Sequence, residues 1–415
     1  IVPMNQHMGS LDRRSFLRGT LATGAAVWAG AAAARAAARA AGAPAGVRGV
    51  QGGDGPTGPY GPLQPANGDG LMLPAGFTSR LVAVSGETVP GTSHTWHANP
   101  DGAACLPALG GGWYLVSNGE TGGGGGTVGV LRFNAAGTVV DGYTILSGTT
   151  RSCSGGVTPW GTYLSGEEHP TGGVYECDPT GPGQGVHRPG MGTFAHEMIA
   201  VDRRRGWIYM VEDDPAGRLY RFRPATRADL SDGTLEVAHV VTSGAATSLG
   251  WSPAAADAPA RDTGSTAFAG AEGAWIERNH LYLTTKFDVR VWRVDLRDQR
   301  LSVFYDHAAT PSAALDAVDN LVGHPISGDL YVAEDGGNME VCILPTLGRT
   351  ACWTFLRFVG HDQSEVTGVA FDPSATRLYV SSQRGVDGSG GVGRTYEVTG
   401  PFRHRLPERL IRRRL

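Results

Sequence analysis

Apolar residues in this chain gather into short runs, each preceded by a turn carrying Gly or Asp and followed by polar residues. The runs are aromatic-rich and resemble one another: "GGGWYLVSNGE" (110–120), "PWGTYLSGEEH" (159–169), "RRGWIYMVEDD" (204–214), "ERNHLYLTTKFD" (277–288), "SGDLYVAEDGG" (327–337) and "ATRLYVSSQRG" (375–385). Between Leu115, Tyr163, Tyr209, Tyr282, Tyr331 and Tyr379 the steps are 48, 46, 73, 49 and 48 residues. Further runs, "GVLRF" (129–133), "GVYEC" (173–177), "RLYRF" (218–222) and "RVWRV" (290–294), alternate apolar and polar positions as half-buried strands do. A period of roughly fifty residues built from short strands marks a propeller, in which each repeat is one four-stranded blade. The pattern predicts an all-β fold, a single six-bladed β-propeller over residues 70–402. The long fourth step contains "SLGWSPAAADAPARDTGSTAFAG" (248–270), poor in strand formers and predicted to be an inserted loop. Turn density excludes a helix bundle, and the lack of helical periodicity between strands excludes a doubly wound fold.

Composition agrees: 63 glycines and 25 prolines in 415 residues supply many tight turns. The net charge of -4, with no stripe of Lys and Arg, gives no reason to expect a nucleic-acid partner. Before the repeats, "DRRSFLRG" (Asp12–Gly19) carries a twin arginine, followed by an Ala-rich run and "AGAPAG". That order predicts a twin-arginine signal peptide over residues 1–45, with the true start at Met8, and then a Gly/Pro-rich linker over 46–69. The apolar run Leu21–Ala34 ends at Arg35 and Arg39, too short for a membrane span. The mature protein is therefore expected outside the cytoplasm, secreted or periplasmic, after export in folded form. A basic tail, 403–415, closes the chain. Five cysteines leave at least one thiol unpaired. Cys342 with Cys352 and Cys105 with Cys177 are candidate bridges, which makes Cys153 the odd one.

In a propeller the innermost strand of each blade faces a central channel, so polar residues recurring there converge. The segment before each repeated strand is the candidate inner strand. These segments carry Cys153, Glu197, Glu272, Asp319 with Asn320, and Glu365, lying 10, 12, 10, 12 and 14 residues before the repeated tyrosine. A second polar set follows the repeated strand: Glu167/Glu168, Glu212/Asp213/Asp214 and Glu334/Asp335. So many acids at one end of one channel repel, and cations are the natural compensation. Carboxylate and amide oxygens suit Ca²⁺, whereas a thiolate among them calls for a transition metal such as iron or zinc. The channel is thus predicted to be metal-lined. Taken singly, each acid also suits a turn, Cys153 a small buried thiol, His169, His196 and His324 hydrogen-bonding partners, and Trp160, Trp207 and Trp275 the core.

The stretches "CSGGVTPWGTYLSGEEH", "HEMIAVD", "VEDDPAGRLYRF", "AEGAWIERNHLYLTT", "DNLVGHPISGDLYVAEDG" and "EVTGVAFDPSATRLYVSSQRG" resemble, in order, the motifs of the PhoX-type alkaline phosphatase family. The resemblance implies a twin-arginine-exported propeller holding an iron and calcium cluster (Fe³⁺, Ca²⁺) on its axis and hydrolysing phosphate monoesters. Carried over by motif, it implies Cys153, Glu168, Glu197, Glu272, Asp319, Asn320, Asp335 and Glu365 as metal ligands, with Asp213 and Asp214 similar candidates. Two places depart from the family's usual motifs: Asn118-Gly119-Glu120 stands for Asn-His-Glu, and Gln383-Arg384-Gly385 for Gln-His-Pro-Gly. Arg384, Lys286 and Arg151, at strand ends, are the candidate cations for the phosphoryl oxygens of a small-molecule phosphate ester. Two other readings suit the same architecture. One is a propeller that binds metal or a partner without phosphatase activity; the other is a calcium-dependent lactonase-type hydrolase, which needs no thiolate.

Overall fold

The structure is a computed structural model that describes residues 58–261, 264–310, 314–347 and 351–403. The twin-arginine motif, the Ala-rich run, residues 46–57 of the linker and residues 404–415 of the tail lie outside these. Among the described residues no helix is long and apolar enough to cross a membrane.

Six antiparallel sheets follow one another along the chain as the blades of a propeller. Their inner strands are Pro100–Pro107, Ser152–Val157, His196–Val201, Ala271–Glu277, Leu321–Gly323 and Val366–Phe371, in blades one to six. Each packs on the next, and the sixth packs back on the first, so the ring is closed. The repeated run is the second strand of every blade, and Tyr163, Tyr209, Tyr282, Tyr331 and Tyr379 are buried there between blades. Their spacing is legible because each fills the same inter-blade position with a large rigid ring.

One segment differs from the sequence expectation, and a glycine pair has a role that spacing does not show. Part of the inserted loop is strand: Ala246–Pro253 pairs with the long strand Asp229–Ser243 as a fifth strand of blade three. Trp251 explains it, lying 4.1 Å from the Arg221 guanidinium, which also covers Trp207 at 4.6 Å. Stacking on a cation holds a segment that composition alone leaves unstructured. Next, Gly155 and Gly156 belong to the inner strand of blade two, and the turn is left to Thr158–Gly161. A Cβ on Gly156 would stand 1.8 Å from the Ile199 carbonyl oxygen of blade three, so glycine here serves close approach between neighbouring inner strands.

Closure uses both ends of the described chain. Thr78–Val84 forms the outer strand of blade six against Arg394–Thr399, and Leu71–Met72 extends blade five beside Trp353–Phe358. Arg80 reaches Glu397 with two hydrogen bonds of 2.9 Å across 317 residues of sequence. Phe77 packs edge-on against Tyr60 (5.0 Å), Phe355 (5.1 Å) and Phe402 (4.9 Å), joining both chain ends to blade five. Replacing Phe77 with Ala should therefore cost about 3–5 kcal/mol, the usual loss for a buried aromatic. Chemical denaturation reads this directly, and a loss below about 1 kcal/mol would contradict the closing role.

Candidate metal centre

The inner strands carry a recurring defect. In blades one to four the ladder with the second strand slips between Pro100 and Ala103, Ser152 and Gly155, His196 and Ile199, and Ala271 and Ala274. The residues at the slips are Asp101, Cys153, Glu197 and Glu272. A bulge leaves its extra residue outside the ladder and re-aims the side chain, here towards the axis. Blade six slips too, but over Gly368, whose Cβ would meet the Asp101 carbonyl oxygen at 2.7 Å. Its acid, Glu365, comes instead from just before the strand. In blade five Asp319 precedes the inner strand and accepts a 2.8 Å hydrogen bond from the Asn320 amide.

These groups meet. Cys153 Sγ donates to Glu197 Oε1 at 2.8 Å and contacts Asp101 Oδ2 at 3.4 Å. Donor atoms of Asp101, Glu120 and Cys153 lie within 4.8 Å of one another, as do those of Cys153, Glu168 and Glu197. Two three-donor groups thus share the thiol. Burial keeps the protons on: Glu197 is held well above the usual carboxylate range by desolvation and then by the charges of Glu272 and Glu168. Burial, then Glu120, does the same to Glu168, and burial, then Asp335, to Glu365. Glu272 and Asp319 are raised likewise, burial first. The Cys153 thiol is pushed up by burial, then by Asp101 and Glu197.

The acid runs divide their work. Glu167 accepts from the backbone N–H groups of Thr150 (2.7 Å) and Gly173 (3.1 Å), closing its own blade's turn. Glu212 does so with Arg218 (3.1 Å), and Glu334 with Asp316 (3.2 Å) and Glu340 (2.9 Å). In all three the first acid of the run anchors the turn six residues on. The second acid, Glu168, Asp213 or Asp335, enters the axial charge cluster. Glu167 thus serves its own turn, while Glu168 stands among the axial charges. Asp214 does not join it: Arg261 (2.6 Å) and the Ala216 N–H (2.7 Å) hold its carboxylate, since a third acid in a row continues round the turn. Asn320 spends its amide locally, its oxygen accepting from Gly368 N–H at 3.2 Å, and so orients Asp319 rather than presenting a free donor.

The three candidate cations stand at this cluster. Arg151 pairs with Glu120 of blade one and Glu168 of blade two, both at 2.7 Å. Lys286 of blade four pairs with Asp213 of blade three at 2.6 Å and with Glu272. Arg384 of blade six pairs with Glu365 at 2.9 Å and feels Asp335 of blade five. Burial works against the Lys286 ammonium, yet Glu272 and Asp213 outweigh it and raise its pKa. The cations thus sit at alternate blade junctions and leave part of the acid unmatched: Glu197 Oε2 is buried with no hydrogen-bond partner.

Sequence reasoning missed three participants. Asp101 resembles a turn residue in "NPDGA", although its distance before Leu115 matches the other blades' ligand spacing. Glu120 and Gln383 registered only as departures from family motifs. The Gln383 amide donates to Asp101 Oδ2 (2.6 Å) and Glu120 Oε2 (2.9 Å). All five cysteines are free thiols; Cys342 and Cys352 stand in side-chain contact, whereas Cys105 and Cys177 belong to different core clusters, which excludes that pairing. His196 and His324 are buried against backbone carbonyls of Gly192 and Ala375, whereas His169 faces Thr171 on the surface. None of them contributes to the two donor groups around Cys153.

Two outcomes follow from this division of roles, and a third for the metal-free protein. Glu334→Ala leaves two backbone N–H groups without their acceptor and should cost about 1–3 kcal/mol for each one left unpaired, with metal content retained. Glu168→Gln should do the reverse; denaturation with elemental analysis separates the two. Stability should also fall as pH rises. Asp101 is pushed from 3.8 up to about 7 by burial and Glu120, so between those values the folded chain holds a proton that the unfolded chain has lost. Stability is greatest near the lower value and declines through the upper one, which melting curves from pH 4 to 7.5 would show.

The sequence model of the PhoX alkaline phosphatase family matches residues 125–175 and 169–287. A comparison with curated proteins finds no match. Among solved structures, Pseudomonas fluorescens PhoX in complex with vanadate, a transition state analogue, aligns with TM-score 0.63 at 17% identity, covering 80% of this chain and 96% of that one. A protein of unknown function from Bacteroides thetaiotaomicron aligns with TM-score 0.47 at 12% identity, covering 78% and 76%. The PQQ-bound aldose sugar dehydrogenase of Streptomyces coelicolor aligns with TM-score 0.41 at 14% identity, covering 79% and 99%. The family's sequence pattern thus matches this chain from blade one into blade four, and the chain shares its fold with Pseudomonas fluorescens PhoX.

Proposed function

We propose that this propeller is an exported, metal-dependent phosphatase that hydrolyses phosphate monoesters at the axial cluster. Similarity to the PhoX family model supports the coarser class, a phosphatase-type hydrolase. The observation that carries the finer reading is the buried donor set around Cys153, which includes Glu197, whose Oε2 has no hydrogen-bond partner among the described residues. An oxygen-only set would suit calcium alone; a thiol shared by two carboxylate groups fits a transition metal with harder cations beside it. The residues fit iron and calcium: Cys153, Asp101, Glu120, Glu168 and Glu197 would hold the former, and Asp213, Glu272, Asp319, Asp335 and Glu365 the latter. Bound there, the metals supply Lewis-acid charge against the phosphoryl oxygens.

The chain's own residues do the rest. Protons now on Cys153, Glu197 and Asp101 must leave as metal binds, so loading is coupled to proton release. Metal charge also competes for the carboxylates that hold Arg151, Lys286 and Arg384. Freed from them, these cations would hold the ester's anionic oxygens from three directions and meet the negative charge that grows in the transition state. Gln383 keeps Asp101 and Glu120 apart and oriented. The twin-arginine signal fits this chemistry, because that route exports proteins already folded and loaded.

A strong chelator should abolish p-nitrophenyl phosphate hydrolysis, with recovery on adding iron and calcium. Cys153→Ala should lower iron content and activity together by at least tenfold. Turnover untouched by chelation sinks the proposal; a single bound calcium with lactone hydrolysis would mark the lactonase-type alternative.

A further inference from the structure

Behind the channel wall of blade six lies a chain of hydrogen bonds that none of the roles above uses. His361, 1% exposed, contacts Ser382 Oγ through Nδ1 at 2.7 Å. Ser382 Oγ donates to Ser364 Oγ at 2.9 Å, and Ser364 Oγ donates to the Glu365 carbonyl at 3.3 Å. The same Ser364 oxygen accepts the backbone N–H of Arg384 at 2.9 Å. Ser364 and Ser382 are themselves buried. A hydroxyl has one proton, and Ser382 gives its proton to Ser364, so the proton on the remaining bond comes from His361 Nδ1.

We infer that His361 is a positioning residue for the phosphate-binding cation. Through Ser382 and Ser364 it fixes the backbone on both sides of the Arg384–Glu365 pair, and so sets where the guanidinium stands once Glu365 is engaged by metal. The placement suits this role. Ser382 ends the second strand of blade six, and beyond it the chain must turn so that Gln383 reaches Asp101 while Arg384 reaches Glu365. The Gln383 N–H bonds the Glu365 carbonyl at 3.1 Å, and the Arg384 N–H that follows is held by Ser364 Oγ. Sub-ångström placement of a substrate-holding group is worth orders of magnitude in rate, and a buried, fully bonded relay provides it. The inference rests on the phosphatase reading for its kinetic arm only.

The test has two arms. In the kinetic arm, His361→Ala and Ser364→Ala should each lower kcat/KM for p-nitrophenyl phosphate about tenfold, the scale of one lost buried hydrogen bond. Metal content should be unchanged, and His361→Asn, which keeps an N–H donor near the Nδ1 position, should recover most of the loss. In an Arg384→Ala background Ser364→Ala should cause no further loss, because residues acting through one group are not additive. A further tenfold loss there, or no rescue by Asn, overturns the inference. In the second arm, ¹⁵N NMR of the histidine rings in the full chain should show His361 protonated at Nδ1; a ring carrying its only proton on Nε2 overturns it irrespective of activity. A wild-type protein with bound metal and no phosphatase turnover would sink the phosphatase reading and leave this second arm to decide.

Discussion

Acids delivered by six inner strands to one axis are withdrawn from water and brought within a few ångströms of each other. That mutual repulsion is the constraint on which the rest depends. It is met in three ways at once. Some carboxylates and the thiol keep their protons, three cations bridge the blades, and one oxygen of Glu197 is left with no partner at all. A propeller whose only task was to be stable would place apolar residues there, since ion pairs buried in this way rarely repay their desolvation. The arrangement makes sense as a site that awaits positive charge.

The division within the acid runs shows how the fold sustains such a centre. One carboxylate of each run is committed to its own turn, accepting backbone N–H groups that would otherwise be unsatisfied. The turn so fixed then holds the next acid over the channel. Adjacent residues of the same chemical type therefore differ entirely in role, one serving the backbone and one the axis. Bulges do the equivalent work on the inner strands, where Asp101, Cys153, Glu197 and Glu272 occupy the slipped positions.

Much of this was legible in the chain. The tyrosine period gives the blade count because each ring fills an equivalent packing site, and Cys153, Glu197 and Glu272 stand at near-constant distances before it. What escaped was information that no local pattern carries. Asp101 lies in a Gly- and Pro-flanked stretch that looks like any turn, and only the packing of blade one on blade two reveals that it faces Cys153. Trp251 stabilises a strand through an arginine two strands away. Gly156 is needed because of a carbonyl in the next blade. Each depends on a neighbour distant in sequence, which spacing cannot show.

The ring closes with its beginning: Thr78–Val84 completes blade six, and Leu71–Met72 and Tyr60 complete blade five. Thr78–Val84, made early, must wait for Arg394–Thr399, so blade six is completed last. A closed ring thus requires both ends of the described chain, and the axial centre, which draws on all six blades, inherits the same requirement. Truncated chains lack a proper edge partner and a whole donor set together. The fold itself then serves as a check on the chain: a copy that lacks either end of the ring also lacks the complete set of axial donors.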